Sequence, residues 1–348
     1  MQKPFATQPE LFVTHADLEH PSLSGLDGAE AVLDWSKLEH LMAGIYASRT
    51  GRPSYPLLTL LRASLLGIWF RLSDVELAQT LFRDLLFRKF CHLELGGDVP
   101  NASTIGRFRQ ELVKHDLWEI LLGEVNRQLE AKHIIMTEGR INIIDATPIE
   151  AAQSGPGKGA DKQPTCDPEA GWHVKADSRG NIKSTYGYSI HTGTHEDGFI
   201  HRQTVTPGNA ALSDCSTITC RATHDSTERD TLLLGDEVAI YADAAYSSQE
   251  TRDKLVTFGI DDQVQRKGYR GHPLSDANRV RNDEIAVIRS GGERPFATYK
   301  SRYGLARTRF MGLAKNLTFY GLAAIAHNIR KGGEFLILYG LPEPTSTV

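Results

Sequence analysis

The sequence is poor in cysteine and has no long apolar run. Its 348 residues include four cysteines, which favours free thiols over a disulfide framework. Nothing approaches the unbroken stretch of about 18 apolar residues that a membrane-spanning helix requires. The first 20 residues lack the apolar h-region of a secretory signal, and the net charge is only −4. We therefore expect a cytoplasmic globular protein with no membrane partner, built as one large or two ordinary domains.

Helical patterns dominate the first third of the chain. Residues 1–50 are acidic and irregular apart from one helical stretch. Further on, the run LLTLLRASLLGIWF is apolar nearly all round and predicts a buried helix, and Ser73 with Glu76 forms a capping box before the next one. We therefore expect an acidic N-terminal segment at 1–50 and an all-helical domain at 51–135. Helices are expected at 27–46, 57–70, 74–93 and 105–135.

After Gly139 the pattern changes to short β-branched runs. Two alternating stretches flank Asp197-Gly198, a hairpin turn signal, and residues 153–171, rich in Gly and Pro, predict a loop. The order fits a mixed sheet flanked by helices, so the predicted fold class is α+β or α/β, with the helical domain preceding the sheet. Strands are expected at 141–149, 186–195, 199–207, 238–246 and 260–265, with helices around 215–223, at 247–259 and over most of 281–331.

Three carboxylates stand out in this second part. Asp145 and Asp243 each end or interrupt an apolar run, and Glu293 lies in a helical stretch rich in Arg and Lys. An aspartate in a buried strand is costly unless it is paired or binds a metal. Together the three suggest a two-metal site for phosphoryl transfer, since Mg²⁺ prefers oxygen ligands. Taken singly, each acid is more often a helix cap, a turn residue or an ion-pair partner.

Basic residues are concentrated around Glu293. Residues 266–331 contain 14 Lys and Arg against four acidic residues, a net charge of +10, so the remainder carries −14. Such a segment is either a solvated helix face or a binding surface for a polyanion. Its coincidence with one of the three carboxylates favours the polyanion.

The segments around these residues resemble the catalytic signature of bacterial insertion-sequence DDE transposases. They are DATPIEA (145–151), ADAAYSS (242–248) and Arg289-x3-Glu293-x6-Lys300. The chain is most similar to the IS-five-like (InsH-like) branch, whose motif is Y-x2-R-x3-E-x6-K. The likeness extends over 51–112, 187–214 and 296–316, and so covers nearly the whole chain.

The resemblance implies an RNase H-like catalytic domain at 139–335 with a tail at 336–348. It implies that Asp145, Asp243 and Glu293 are catalytic and bind two Mg²⁺ ions, which Mn²⁺ could replace. Arg289 lies four residues before Glu293 and Lys300 seven after it, spacings that keep all three on one helix stripe. Without the resemblance, the same spacings describe an exposed, salt-bridged helix.

The resemblance also implies double-stranded DNA as partner, both the terminal inverted repeats of the element and the target. A homodimer is expected, because two ends must be paired, together with association with the nucleoid. Residues 101–109 resemble the recognition helix of a helix-turn-helix, although an ordinary capped helix explains them equally well from the residues alone. The predicted DNA contacts are Arg289, Arg294, Lys300, Arg302, Arg307, Arg309 and Lys315 in the basic segment, and Ser103, Thr104, Arg107 and Arg109 in the recognition helix.

The chain departs from the family pattern in two places. Ala286 stands where the motif has tyrosine, and Gly292-Glu293-Arg294-Pro295-Phe296 replaces a Val-Glu-His-Pro-Phe core. Pro295 is expected to distort the helix just after the carboxylate. These departures keep open a catalytically inactive, transposase-derived DNA-binding protein.

Other functions are less well supported by the residues. A stand-alone RNase H-like nuclease would not need the helical domain, and a metallophosphatase would show His-rich metal motifs. A Ser/His/Asp hydrolase would show a nucleophile elbow, which is absent. The spacing of Cys215, Cys220 and His224 is unusual for zinc, and Gly155-Pro-Gly-Lys-Gly lacks the features of a P-loop.

Overall fold

The computed structural model describes residues 24–45, 54–137, 139–155, 166–176, 181–208, 232–247, 249–269 and 271–340. Seven helices precede the sheet in this part of the chain. They are α1 (Ser24–Ala31), α2 (Trp35–Met42), α3 (Leu57–Trp69), α4 (Asp74–Arg83), α5 (Leu85–Phe90), α6 (Ala102–His115) and α7 (Trp118–Ala131).

Local sequence signals account for the starts of several of these helices. The predicted capping box is present, because the Ser73 hydroxyl accepts from the Glu76 N–H while the Glu76 carboxylate accepts from the Ser73 N–H. The Asn101 side chain accepts from the Thr104 N–H at the start of α6. The single helix predicted at 27–46 is instead two helices. Helix α1 ends at Ala31, and the Asp34 side chain caps the start of α2 by accepting from the Ser36 N–H.

The second part contains the predicted mixed sheet, which has six strands in the described residues. The strands are β1 (Ile141–Glu150), β2 (Gly171–Ala176), β3 (Ile182–Thr194), β4 (Ile200–Pro207), β5 (Ala239–Ala242) and β6 (Asp261–Val264). Strands β3 and β1 are antiparallel, whereas β1, β5 and β6 run parallel. The strand order is β2-β3-β1-β5-β6, with β4 also paired to β3.

Two strand predictions need correction. Strand β2 was not predicted, since its six residues follow a Gly- and Pro-rich stretch and pair only with the start of β3. Strand β5 ends at Ala242, four residues earlier than predicted, and a 3₁₀ turn (Ala244–Tyr246) follows. The helix predicted at 215–223 and the residues Cys215, Cys220 and His224 lie outside the described residues.

Among the described residues, four helices follow β5. They are α8 (Gln249–Thr257), α9 (Asp276–Arg289), α10 (Glu293–Ala297) and α11 (Leu313–Tyr339). A 3₁₀ turn (Ser290–Gly292) joins α9 to α10, and a π turn (Thr298–Arg302) follows α10. Pro295 itself lies inside α10, so the distortion predicted just after Glu293 is not found there; the helical stretch is interrupted before Glu293 and after Ala297 instead. The predicted tail at 336–348 begins inside a helix, because α11 continues to Tyr339.

Helix α11 packs against both the helical segment and the sheet. The Trp69 indole of α3 donates to the Ala326 carbonyl. The buried amide of Asn328 bonds both backbone groups of Ile200 on β4 and the side chain of Asn126 on α7. One continuous apolar core therefore runs from the first helices through the sheet to α11. No helix in the described part of the chain is long and apolar enough to cross a membrane.

Candidate active site

Strand β1 presents Asp145 on the face that packs against the α9–α10 junction. Alternation along a strand puts Ile143, Asp145 and Thr147 on one face. The 3₁₀ turn lies directly on Ile143: a Cβ added to Gly292 would lie 2.7 Å from Ile143 Cγ2, and one added to Gly291 would lie 3.3 Å from Ile143 Cδ1. Two glycines therefore let the helix backbone approach β1 closely, which brings the residues on either side of the turn to Asp145.

Arg289 and Glu293 flank this glycine turn and meet beside Asp145. Arg289 Nη1 lies 3.2 Å from Asp145 Oδ1, and Arg289 Nη2 lies 3.7 Å from Glu293 Oε1. The Asp145 side chain is 14% exposed, whereas that of Glu293 is 62% exposed. Arg289 thus ties a mostly buried carboxylate to one that is open to solvent.

Asp243 approaches Asp145 through the parallel pairing of β5 with β1. Ala242 is the Cα partner of Ile144, so the next residue on each strand is one of the two aspartates. The Asp243 side chain does not cap the 3₁₀ turn that it precedes. Asp145 on β1 and Asp243, the residue that follows β5, are therefore neighbours across the sheet.

The charges of the three carboxylates influence one another. Burial raises the pKa of Asp145, while Arg289 and the Ala146 N–H oppose this shift. The charges of Glu293 and Asp243 raise that pKa further. Mutual repulsion of this kind is the electrostatic condition that a bound cation relieves.

The donor set suits a hard divalent cation, since all three side chains offer carboxylate oxygens. Within the described residues, however, no group of three or more His, Cys, Asp or Glu side chains is gathered closely enough to hold an ion. The Arg289 guanidinium lies between Asp145 and Glu293, and its buried Nε has no hydrogen-bond partner. The residues fit a metal in chemistry and charge, and Arg289 occupies the space between two of them.

Lys300 completes the contact of the helical stretch with β1. Its half-buried ammonium donates to the Thr147 hydroxyl, two residues beyond Asp145 on the same face. Burial lowers the pKa of Lys300, and the charge of Lys183 lowers it further. Arg289, Glu293 and Lys300 therefore all face the site, in spite of the 3₁₀ and π turns between them.

The sequence reasoning missed the polar residues behind Asp145. Thr192 on β3 is the cross-strand partner of Asp145, and Gln203 on β4 is the partner of Thr192. Both are buried, and Thr192 Oγ1 and Gln203 Nε2 have no hydrogen-bond partner among the described residues. The Tyr299 hydroxyl donates to Gln203 Oε1. The alternation of residues along the two hairpin strands puts Thr192 and Gln203 on the same face of the sheet as Asp145. This alternation is the sequence signal by which they could have been found.

Several of the other predicted DNA contacts are engaged within the protein. Arg109 is buried, and both of its Nη atoms bond the Asp74 carboxylate, so it holds α6 to α4 and is not free to contact DNA. Arg309 lies 3.7 Å from the same carboxylate and over the Phe310 ring. Arg307 donates to the carbonyls of Ala151 and Ala152. Arg109 is therefore enclosed in the protein, whereas Arg307 and Arg309 are exposed and their DNA contacts stay predictions.

The remaining candidates lie at the surface. Arg294 donates to the Glu196 carbonyl, and Arg302 pairs with Glu334 at 3.0 Å. Lys315 and Arg107 are exposed. The Ser103 and Thr104 hydroxyls both donate to the Asn101 side chain at the start of α6. Solvent reaches these groups, but the 11 predicted contacts do not form one cluster around the carboxylates.

The sheet order and the helix packed on β1 define an α+β, RNase H-like fold with an acidic site between β1, β5 and the α9–α10 junction. Two family models match the chain: "Transposase domain (DUF772)" over residues 18–111 and "Transposase DDE domain" over residues 137–329. Because the second match covers more than half of the chain, the protein belongs to the DDE transposases. No solved structure matches the chain.

Proposed function

We propose that the protein binds the terminal inverted repeats of an insertion sequence of the IS-five-like branch, cuts at the element ends and joins them to target DNA. Asp145, Asp243 and Glu293 are the proposed catalytic residues. The observation that supports the proposal is the contact of Arg289 with both Asp145 and Glu293, where a glycine turn brings Arg289 and Glu293 onto β1.

The three carboxylates are also the proposed ligands of two Mg²⁺ ions. When bound, the ions activate the attacking oxygen and stabilise the leaving oxygen of a phosphodiester. In the first step water attacks at the element end and leaves a 3′-hydroxyl. In the second step that 3′-hydroxyl attacks target DNA in line. Both steps need the scissile phosphate to be held beside β1, where Arg289 and Lys300 lie.

Arg289 and Lys300 are the proposed phosphate-binding cations of the site. Each contacts the Asp145 face of β1, so a phosphate that reaches Asp145 also lies within reach of both. Arg294, which is exposed, and the solvent-facing residues Arg107 and Lys315 extend the proposed DNA surface. Arg109 is excluded from it, because it is buried against Asp74.

The proposed division of labour assigns DNA binding or dimerisation to residues 51–135 and catalysis to residues 139–335. Helix α11 belongs to the second segment by sequence but packs on α3, α6 and α7 of the first, and on α1, which precedes both. The two segments therefore share a core, and we propose a homodimer in which each copy acts as one unit on one element end.

A second candidate is a transposase-derived protein that binds DNA without cutting it. It is favoured by Ala286 in place of the motif tyrosine. It is also favoured by the insertion of Arg289 between Asp145 and Glu293, since the described carboxylates are not gathered around one centre.

Cleavage of a supercoiled plasmid that carries the native element ends, in the presence of Mg²⁺, separates the two candidates. The variants Asp145→Asn, Asp243→Asn and Glu293→Gln should each reduce cutting by about 10³-fold or more, because each removes a charge needed at the transition state. The control is Asp276→Asn, whose fully exposed carboxylate lies on the same helical stretch. Binding without cleavage by the wild type would establish the DNA-binding remnant.

A further inference from the structure

A row of three polar side chains crosses the sheet at Asp145. Asp145 on β1 is paired with Thr192 on β3, and Thr192 is paired with Gln203 on β4. Directly paired residues of neighbouring strands carry their side chains on the same face of the sheet. All three therefore lie on the face where Arg289 contacts Asp145. The carboxylate motif includes neither Thr192 nor Gln203.

Thr192 and Gln203 each bury a polar atom that lacks a partner. Thr192 is fully buried and Gln203 is 3% exposed. Neither Thr192 Oγ1 nor Gln203 Nε2 has a hydrogen-bond partner among the described residues. Burying such atoms without a partner destabilises a fold, and native proteins seldom do it. Two of them on directly paired residues indicate a chain of hydrogen bonds that is only partly formed in this structure.

The donors and acceptors of the row allow such a chain to reach Asp145. The buried Tyr299 hydroxyl donates to Gln203 Oε1 at 3.0 Å, so Nε2 is the Gln203 atom left to bond along the row. An amide nitrogen only donates, whereas a threonine hydroxyl accepts and donates at once. Gln203 can therefore donate to Thr192, and Thr192 to the Asp145 carboxylate. The Cβ atoms of such pairs lie about 4.5–5.5 Å apart, a gap that side-chain rotation can bridge.

The Asp145 carboxylate is engaged by Arg289 in this structure. Arg289 Nη1 lies 3.2 Å from Asp145 Oδ1, and the Ala146 N–H donates to the same oxygen at 2.9 Å. A metal ion that takes the place of Arg289 removes one of these two contacts. Carboxylates that bind metals are oriented by hydrogen bonds of their own, so Asp145 then needs a further donor.

We propose that Thr192 is a positioning residue for Asp145. Its hydroxyl donates to the Asp145 carboxylate when a metal ion takes the place of Arg289, and it accepts from Gln203 in turn. The proposal rests on the proposed function, since it takes Asp145 to be a metal ligand. Removal of partners of this kind typically costs about 10- to 100-fold in metal affinity or activity.

The test measures two properties of the full-length protein without DNA: its Mn²⁺ affinity by isothermal titration calorimetry, and its urea midpoint in the absence of metal. Thr192→Val removes the hydroxyl and keeps the branched shape. It should weaken Mn²⁺ binding by about tenfold or more. The urea midpoint should stay the same or rise, because the lost hydroxyl bonds no described residue in the metal-free protein. Thr192→Ser, which keeps the hydroxyl, should bind Mn²⁺ as the wild type does.

Thr59→Val is the matched control. Thr59 is buried in α3, and its hydroxyl donates to the Cys91 carbonyl at 3.0 Å, so the same substitution removes a hydrogen bond that is formed. It should lower the urea midpoint and leave Mn²⁺ affinity unchanged. Opposite responses of the two valine variants separate the orientation of Asp145 from a contribution to folding.

The part that Gln203 plays is measured in two backgrounds. Gln203→Met removes the amide donor and keeps a side chain of similar length. It should weaken Mn²⁺ binding in the wild-type background and have no further effect in Thr192→Val, because Gln203 acts only through the threonine hydroxyl. Equal effects in both backgrounds would overturn the chain between the two residues.

Wild-type Mn²⁺ affinity in Thr192→Val, with binding lost in Asp145→Asn, would overturn the positioning role and leave the proposed metal ligands standing. Weaker binding by Thr192→Val together with a urea midpoint as low as that of Thr59→Val would assign Thr192 a structural role, which also overturns the proposal. Absence of Mn²⁺ binding by the wild type would remove both the positioning role and the proposed ligands.

Discussion

Arg289 makes the most consequential contact at the scale of single residues. Its guanidinium forms an ion pair with Asp145 and also lies near Glu293, so one cation is shared by two carboxylates. A metal ion must displace it from at least one of them. In the proposed transposase, DNA would favour this exchange, because a phosphate offers Arg289 another anionic partner while the ion takes the carboxylates.

Arg289→Gln should therefore bind Mn²⁺ more tightly than the wild type in the absence of DNA. Removal of a competing unit charge at 3 to 4 Å is worth at least the 1.4 kcal/mol that corresponds to tenfold in affinity, so we expect about tenfold or more by isothermal titration calorimetry. Cleavage should fall in the same variant through loss of the phosphate contact.

The control for this change is Arg279→Gln, which alters the exposed end of α9 where Arg279 pairs with Asp276. It should leave Mn²⁺ affinity unchanged. Equal or weaker Mn²⁺ binding by Arg289→Gln would contradict the view that the guanidinium competes with the ion.

At the scale of elements, the glycine turn between α9 and α10 sets the geometry of the site. Its backbone packs on Ile143, and Arg289 and Glu293 are the residues immediately before and after it. A side chain at Gly292 would push the turn away from β1. Because Arg289 and Glu293 would move with the turn, a methyl group at Gly292 would shift both side chains relative to Asp145 without removing any charged group.

Gly292→Ala should lower the free energy of unfolding by about 1–3 kcal/mol, the usual cost of overpacking, and should reduce cleavage by a larger factor than the stability loss explains. Urea unfolding and plasmid cleavage measure the two effects. Gly123→Ala is the matched control: an added Cβ there meets nothing within 4 Å, and alanine in a helix should be neutral or stabilising. Equal behaviour of the two variants would show that the close approach is unimportant.

The elements show what the sequence could and could not predict. The capping box at Ser73, the hairpin around Asp197-Gly198 and the mixed sheet were predicted, because each depends on local pattern. Strand β2 was missed because it directly follows a stretch rich in Gly and Pro, which indicated a loop. Its pairing with the nearby start of β3 did not show in its own sequence. The ion pair of Arg109 with Asp74 was missed as well, because it joins two residues that are 35 positions apart in the sequence.

The candidate site was only partly predictable for the same reason. The motif indicated the three acids and their cationic neighbours, and the parallel pairing of β1 with β5 explains why two of the acids meet. Thr192 and Gln203 behind Asp145 were not recognised, because cross-strand register is a tertiary property. Nor could the sequence show that Arg289 lies between two of the acids.

At the scale of the whole molecule, α11 joins the helical segment to the sheet. The amide of Asn328 is fully buried, and it bonds backbone on β4 and a side chain on α7. Because a single apolar core includes residues from α1 to α11, the two segments should not unfold independently.

Asn328→Ala should therefore lower the stability of both segments together, by about 2–4 kcal/mol, because it leaves buried partners on β4 and α7 unsatisfied. Far-ultraviolet and near-ultraviolet circular dichroism should report one coincident urea transition, shifted to lower concentration in the variant. Exposed Gln110→Ala is the control. Two separate transitions in the wild type would show that the segments are independent domains.

The position of α11 also bears on how the chain is made. The indole of Trp69 reaches its hydrogen-bond acceptor 257 residues later, at Ala326. At roughly 5 to 20 residues per second, the ribosome needs about 10 to 50 s to supply that partner. During this interval the part of the α3 surface that α11 covers stays open to solvent, although α2, α4, α5 and α6 can already pack on the rest. A product that ends before α11 should therefore be a substrate for chaperones and proteases.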